Sequence, residues 1–478
     1  MKLVLAIVLA AGISFGSFGQ EQADPLVLNL QEAVDYAISY NKSLKNARLE
    51  VERSRRSIWE AISQGLPQVD GTVDFMTYFN YELAFSFGLG DDIGFTDAQF
   101  QEALAQTQSS FPGTTPTDIV RHQAGNYYDG VLQSMLPPST ILMSDQATAK
   151  LQVSQLLFSG QYLVGIQTAK MARKISEQNL EFSELNTKET VIGSYYLVLI
   201  TEESLGFLEQ NLENLRETLD QTETMYNTGM AEQTDVDQIR ITVNQMENSH
   251  RALERNLELN YNMFRFQLGL DSDVEVRLSD NLESLFESLQ PESVLVVPFS
   301  VENNITYQIM KSQEEIDEKL LALEQWNYAP TIAGFYNYNA KILTTGFDMT
   351  PNHLAGFSMA VPIFSSGMKK ARVDQARINY DVSHNNRRIL EDQLKLQEKQ
   401  FRYDLQSALE NHTTQKENVE VAQRIYDSYT RKFEQGMATS MDLTQANGNY
   451  LEAASNYVSS IMEVMNSKLQ LDKLMNNL

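Results

Sequence analysis

Few residues in this 478-residue chain can do covalent or metal chemistry. It has five His and no Cys, which removes disulfides, thiolate metal sites and a Cys nucleophile. It contains neither H-E-x-x-H nor G-x-x-x-x-G-K-[ST], the spacings that set a zinc ion on a helix face or curl backbone amides around a phosphate. Gly12-Ile13-Ser14-Phe15-Gly16 has the G-x-S-x-G spacing of a nucleophile elbow. That elbow requires a strand, a sharp turn and a helix. Here the motif sits in a leading apolar run and carries no catalysis. The chain is expected not to be an enzyme and to use no cofactor and no metal.

The chemistry left is that of carboxylates and turns. Asp and Glu number 63 against 37 Lys and Arg, a formal charge of -26, which argues against nucleic acid as a partner. Two carboxylates recur in matched settings. "YNTGMAEQTDV" starts at Tyr226 and "FEQGMATSMDL" at Phe433, 207 positions later. Gly229 and Gly436 suit the left-handed position that ends a helix. Thr234 and Ser440 are expected to cap the next helix, with Asp235 and Asp442 near its positive end. Met230 and Met437 follow the glycines.

Long helices must hold these turns. Of the 11 prolines, none lies between Pro138 and Pro291 and none after Pro362. Helices are therefore expected over 161–226 and 368–433, each roughly 100 Å long. Helices that long pack as coiled coils rather than in a globular core. The 3-4 spacing agrees. Val236, Ile239, Val243, Met246, His250, Leu253 and Leu257 step as a seam, and adding 207 gives Leu443, Ala446, Tyr450, Ala453, Tyr457, Ser460 and Val464. The chain is thus an internal repeat. "LLFSGQ" and "IFSSGM" keep the 207 offset at Gly160 and Gly367, while Pro67 and Pro330 are 263 apart, so the first copy carries about 56 extra residues.

Period-2 alternation marks four strands, about 68–79, 147–157, 331–341 and 353–363. Val69, Gly71, Val73 and Phe75 point one way and Asp70, Thr72, Asp74 and Met76 the other, the pattern of an outer-membrane β-barrel strand. Four strands cannot close a barrel, and a bilayer tolerates no open edge, so several chains must combine. The N-terminus reads as a signal peptide over 1–19: Lys2, an apolar Leu3–Ile13, then small Ser17 and Gly19. No later run of about 18 apolar residues is expected to span a bilayer as a helix.

These features together resemble TolC-like outer-membrane efflux proteins. The tips "YNTGMAEQTDVDQIR" and "FEQGMATSMDLTQANGNYLEAASNY", the twin "LLFSGQ" and "IFSSGM", and "FQLGLDSDVEVRLSDNL" between the halves carry the resemblance from about Leu28 to Leu474. It implies a mainly α fold with a transmembrane β-barrel portion. Two tandem repeats each give two strands and long coiled-coil helices, and a homotrimer forms a 12-stranded barrel and a 12-helix periplasmic tube. On this layout the first repeat is 20–270, with helices 30–64, 161–226 and 234–267 and a loop inserted over 80–146. The second is 300–478, with helices 301–327, 368–433 and 440–474. Residues 271–299 join them as a belt whose acidic run is expected to be solvated. The Gly-, Phe- and Tyr-rich insert, with a short helix over 96–108, would decorate the cell exterior or the barrel mouth.

The resemblance implies a passive exit duct in the outer membrane of a Gram-negative bacterium, embedded in outer-membrane lipid. Its partners would be a periplasmic adaptor, docked at Gly229, Met230, Gly436 and Met437, and an inner-membrane pump. The matching periplasmic gate positions are Thr234, Asp235, Phe433, Ala438, Asp442 and Gln445. Here the sequence departs from the pattern, which has Tyr where Phe433 stands, Arg where Ala438 stands and Asp where Gln445 stands, so the polar latch is reduced. Asp442 forms either a three-fold carboxylate ring or only a helix N-terminal charge. The alternative to the duct is a structural coiled-coil surface protein, which would have no use for alternating strands.

Overall fold

The computed structural model describes residues 25–79, 81–85, 98, 101, 102, 105, 109, 139–143, 145–343 and 351–478. The leader expected over 1–19 and most of the insert, including nearly all of the helix expected over 96–108, lie outside the described residues. The strands are β1 (Leu26–Leu28), β2 (Gln68–Met76), β3 (Tyr81–Phe85), β4 (Ser139–Met143), β5 (Gln146–Phe158), β6 (Val276–Leu278), β7 (Thr331–Leu343) and β8 (His353–Ala360). The helices are α1 (Leu30–Tyr40), α2 (Lys42–Ser63), α3 (Gly160–Asn227), α4 (Gln233–Leu268), α5 (Leu282–Leu289), α6 (Ile305–Trp326), α7 (Met368–Glu434) and α8 (Ser440–Leu474). The chain divides into a helical unit (Met1–Ala61, Leu163–Trp326, Ser365–Leu478) and a sheet unit (Ile62–Tyr162, Asn327–Phe364).

In the sheet unit the order is β2-β5-β7-β8, and every neighbouring pair is antiparallel. Residues directly opposite one another share a face, so the register sorts side chains across the whole sheet. Val69 faces Val153, which faces Tyr336, which faces Ala355. Gly71, Leu151, Tyr338 and His353 form the next row on that side. The other side carries Asp70, Gln152 and Asn337, then Thr72, Lys150 and Asn339. Phe335 and Leu354 are apolar exceptions on the polar side. Among the described residues β2 pairs only with β5 and β8 only with β7, so both outer strands end in unpaired edges. A separate hairpin, β3 with β4, stands at the root of the insert; the alternation in the sequence did not mark it.

In the helical unit α3 is 68 residues long and α7 is 67, spans of about 100 Å each. One 18-residue window of α3 is apolar enough to cross a bilayer, against the expectation that none would be. The buried Val191, Ile192, Tyr195, Tyr196, Val198 and Leu199 of that helix belong to a core shared with Ala33, Phe264 and Met465. The helix expected over 30–64 is two helices, broken at Asn41. The Asn41 side chain accepts from the Ser43 and Leu44 N–H groups, starting α2, and donates to the Gln267 carbonyl at 2.7 Å, ending α4. Asn304 does the same in the second copy. It accepts from the Thr306 and Tyr307 N–H groups and donates to the Leu474 carbonyl at 2.9 Å. One side chain thus satisfies orphan groups of two helix ends at once. Each short helix is stacked on another to make a rod beside a long helix.

The segment 271–299 is less solvated than its acidic composition suggests. Val276, Leu282 and Val294 are buried, and β6 lies parallel to β1. The Asp280 carboxylate accepts from the Leu30 N–H and from the Tyr195 hydroxyl, both at 2.8 Å. Burial, with Asp280 beside it, pushes the Tyr195 phenol far above its usual range. The Arg402 guanidinium holds the segment to α7 through the Leu295 and Val297 carbonyls, at 2.5 and 2.6 Å.

Candidate functional site

The repeated turn is a helix stop followed by a restart. At the first tip the Met230 N–H reaches back to the Met225 carbonyl at 2.8 Å, and at the second the Met437 N–H reaches the Lys432 carbonyl at 2.8 Å. Gly229 and Gly436 take φ of 79° and 70°, the left-handed conformation that lets such six-to-one bonds close. A Cβ at either glycine would meet nothing within 4 Å; backbone conformation, not crowding, selects Gly. Met230 is 73% exposed and Met437 67%.

The caps differ from expectation. Glu232 occupies the N-cap position of α4, where the Asp235 carboxylate accepts from the Glu232 N–H at 3.1 Å. Thr439 caps α8 in a reciprocal box with Asp442, whose N–H donates to Thr439 Oγ1 at 3.2 Å. Thr234 and Ser440 are therefore first-turn residues. The Ser440 hydroxyl serves elsewhere: it donates to Asp235 Oδ1 at 2.6 Å and ties the first tip to the second within one chain. This link was missed because it pairs residues that are not repeat equivalents; Asp235 corresponds to Asp442, not to Ser440.

Asp442 is exposed, and its Oδ2 accepts from the Thr439 N–H at 3.0 Å and the Thr439 hydroxyl at 2.8 Å. Those bonds hold its carboxyl below the usual aspartate range. Gln445 is exposed and donates to Asn449 Oδ1 at 2.9 Å. Thr234 is exposed and donates to Glu232 Oε2 at 3.2 Å. Phe433 lies inside the second tip. It is 6% exposed and belongs to a cluster with Leu215, Ile239, Leu443 and Ala446, against which Ala438 also packs. A ring so buried fills the interior of the tip. Deeper in, Asn211 donates to Asn447 Oδ1 at 2.7 Å, both nearly inaccessible. A buried amide pair of this kind fixes coiled-coil register.

The seam of α4 buries Val236, Ile239, Val243 and Met246 as its spacing demands. In α8 the seam slips after Tyr450, burying Ala454, Val458 and Ile461 in place of Ala453 and Tyr457, while the expected Ser460 and Val464 are buried as well. Extra four-residue steps of this kind locally unwind a coiled coil. Ion pairs staple α3 to α4 below and above the seam, Arg240 with Glu223 at 2.7 Å and Arg216 with Glu247 at 2.6 Å. Among the described residues no three His, Cys, Asp or Glu side chains converge to hold a metal ion.

A family model described as outer membrane efflux protein matches residues 142–270 and 321–477. A comparison with curated proteins gives no match. Solved structures similar in fold include the outer membrane protein VceC from Vibrio cholerae, at 14% identity, covering 94% of this chain and 96% of that one with a TM-score of 0.66. The CmeC outer membrane channel of Campylobacter jejuni is 15% identical over 99% of this chain and 94% of its own, TM-score 0.66. The open state of the MtrE outer membrane channel of Neisseria gonorrhoeae is 12% identical over 94% and 89%, TM-score 0.66. With a family model matched over more than half of its length, the chain belongs to the outer membrane efflux protein family.

Proposed function

We propose that the protein is a passive exit duct, built from three copies of the chain and working with a periplasmic adaptor and an inner-membrane pump. As a member of its family it resides in the outer membrane. One observation carries the reading: a four-stranded sheet sorted into an apolar and a polar face that ends in two unpaired edges. In lipid an unpaired edge leaves backbone groups unsatisfied, at several kcal/mol each. Joining β8 of one copy to β2 of the next removes every edge. The apolar face, with Val69, Val73, Phe75 and Phe357, then meets acyl chains. The polar face, with Asp70, Asp74, Lys150 and Lys341, lines the bore. Three copies give twelve strands, wide enough for a duct where eight would be filled by side chains.

The tips are the proposed docking and gating end. Exposed Met230 and Met437 offer flexible apolar contacts to an adaptor helix. The closed state is held by packing around Phe433 and by the Asp235–Ser440 bond. Native mass spectrometry in mild detergent, followed by conductance of single particles in planar bilayers, tests the reading. A trimer that conducts is expected; monomer alone, or a trimer without conductance, overturns it.

A further inference from the structure

Cavities in the helical unit differ in charge. The one at the Asn304 joint has Glu189 and Lys473 on its wall, and one between α6 and α7 has Glu314, Glu318 and Arg387. Another, of about 520 Å³, lies between α3, α4 and α8 and has no charged residue among the described residues of its wall. In a chain with 21% charged residues, a neutral opening is the exception. Phe207 of α3, Met246 and Leu253 of α4 and Leu451 of α8 give it apolar sides. It lies where the α8 seam slips, and small residues, Gly448, Ala454 and Ser455, face it there. A Cβ on Gly448 would meet nothing within 4 Å. A helix interior disfavours Gly, and neither crowding nor a left-handed backbone calls for it at this position. Close-packed interiors leave few gaps larger than a water molecule, whereas this volume is that of a small-molecule site. Asn447, 1% exposed, brings an amide to the same wall. Its Oδ1 accepts from Asn211 Nδ2 at 2.7 Å, and among the described residues Asn211 Oδ1 receives no bond in return. The Asn447 N–H groups are thus not spent on that partner.

We propose that this cavity binds a small uncharged molecule with an aromatic body and a carbonyl acceptor. The neutral wall selects against charge, because an ion drawn out of water onto it finds no counter-charge. The ring lies against Phe207 and Met246, side chains that make favourable contacts with aromatic groups. The carbonyl takes an Asn447 N–H, a bond that a plain hydrocarbon would leave unmade. The occupant touches α4 and α8 at once, the two helices that the Asp235–Ser440 bond joins at the tips. Separating those helices would cost it one wall. A ligand shifts an equilibrium toward the state it binds better, so binding favours the closed tips and lowers conductance. That consequence rests on the exit-duct reading; the binding itself does not.

Equilibrium dialysis of the detergent-solubilised protein with 2-naphthamide, corrected for micelles alone, tests the site. The carboxylate 2-naphthoate has the same body and one charge. At neutral pH the amide is expected to bind about tenfold or more tightly than the carboxylate. Gly448→Leu and Ser455→Leu, one heptad apart on the cavity side of α8, fill the space and should each weaken amide binding about tenfold. Gly206→Leu is the control: the residue is exposed, its added Cβ also meets nothing within 4 Å, and it lies off the cavity wall, so binding should not change. Equal binding of amide and carboxylate, no binding above micelles, or undiminished binding in both α8 variants overturns the proposal. In planar bilayers 2-naphthamide should lower the conductance of the parent and not that of Gly448→Leu. Binding that leaves a conducting parent unaffected overturns the coupling to the tips. A parent that binds the amide but never conducts overturns the exit-duct reading and leaves the site standing.

Discussion

Asn304→Ala should destabilise the helical unit at both of the helix ends that the side chain serves. The side chain is 5% exposed and makes three bonds, accepting from the Thr306 and Tyr307 N–H groups and donating to the Leu474 carbonyl. Loss of an N-cap costs about 1 kcal/mol. A carbonyl left buried without a donor adds about 1 kcal/mol or more. The total, about 2 kcal/mol, corresponds to a melting shift of roughly 3 °C for a cooperative unit the size of the helical one. Scans at fixed rate on the detergent-solubilised protein measure it, because unfolding of such an assembly is irreversible. Asn304→Ser keeps the acceptor and loses the reach to Leu474, so it should recover about half of the shift. Asn304→Asp keeps the cap but sets a carboxylate against a carbonyl, and should fall below Ser. Hydrogen exchange should accelerate at 305–308 and 474–477 together. If Ala melts within a degree of the parent, or if only one helix end exchanges faster, the joint does not couple the two helices and the reasoning fails.

Gly229→Trp and Gly436→Trp meet open space, so each should cost only about 1 kcal/mol of backbone strain and leave the trimer intact while abolishing export; trimers that export normally would remove the tips from partner docking. Asp442→Asn keeps an acceptor for the α8 cap but loses the charge at the helix start, so it should lower stability slightly while weakening block by multivalent cations applied from the tip side; unchanged block and cation preference in planar bilayers would make Asp442 a helix-end charge and nothing more. Ser440→Ala deletes the bond to Asp235 and should raise the resting conductance severalfold, read in the same bilayers; an unchanged leak would locate closure elsewhere. His412 is lodged between Phe286 and Tyr457, and burial, with Lys416 adding to it, holds its pKa below 6.5. As pH falls below 6.5 the unfolded chain takes up this proton before the folded one does, so stability should drop between pH 7 and the folded pKa. The drop should shrink in His412→Gln, and equal pH slopes in the two proteins would refute the assignment.

Much of the fold was legible because it is built from long, local, repeated patterns. Two proline-free stretches became α3 and α7, and the alternation around Val69 and Leu151 anticipated which residues share a sheet face. What stayed hidden depends on contacts distant in sequence. The Asn41 break is invisible to periodicity, since Asn in a helical run reads as mild disfavour until the Gln267 carbonyl is brought to it. The belt's acidic run hid three buried aliphatic residues because net charge averages over side chains that face opposite ways. At the tips, family positions pointed to Phe433 as a gate residue, yet the absence of a hydroxyl there fits its burial. The Asp235–Ser440 bond joins the two repeats across the copies, where a comparison of equivalents does not look.

The stacked rods constrain how this architecture can change length. Against the 68 residues of α3 stand α4 and α2 with 36 and 22; against the 67 of α7 stand α8 and α6 with 35 and 22. A heptad inserted into α3 alone would push its tip past that of α4 by about 10 Å and tear the turn between them. The same heptad added to α4 as well would leave the turn whole but move that tip out of line with its twin, unless α7 and α8 gained one too. Lineages descending from this chain can therefore lengthen or shorten only by matched insertions in four helices. The asparagine joints, which no covalent bond spans, are where a mismatch of a residue or two could be absorbed while such a set accumulates.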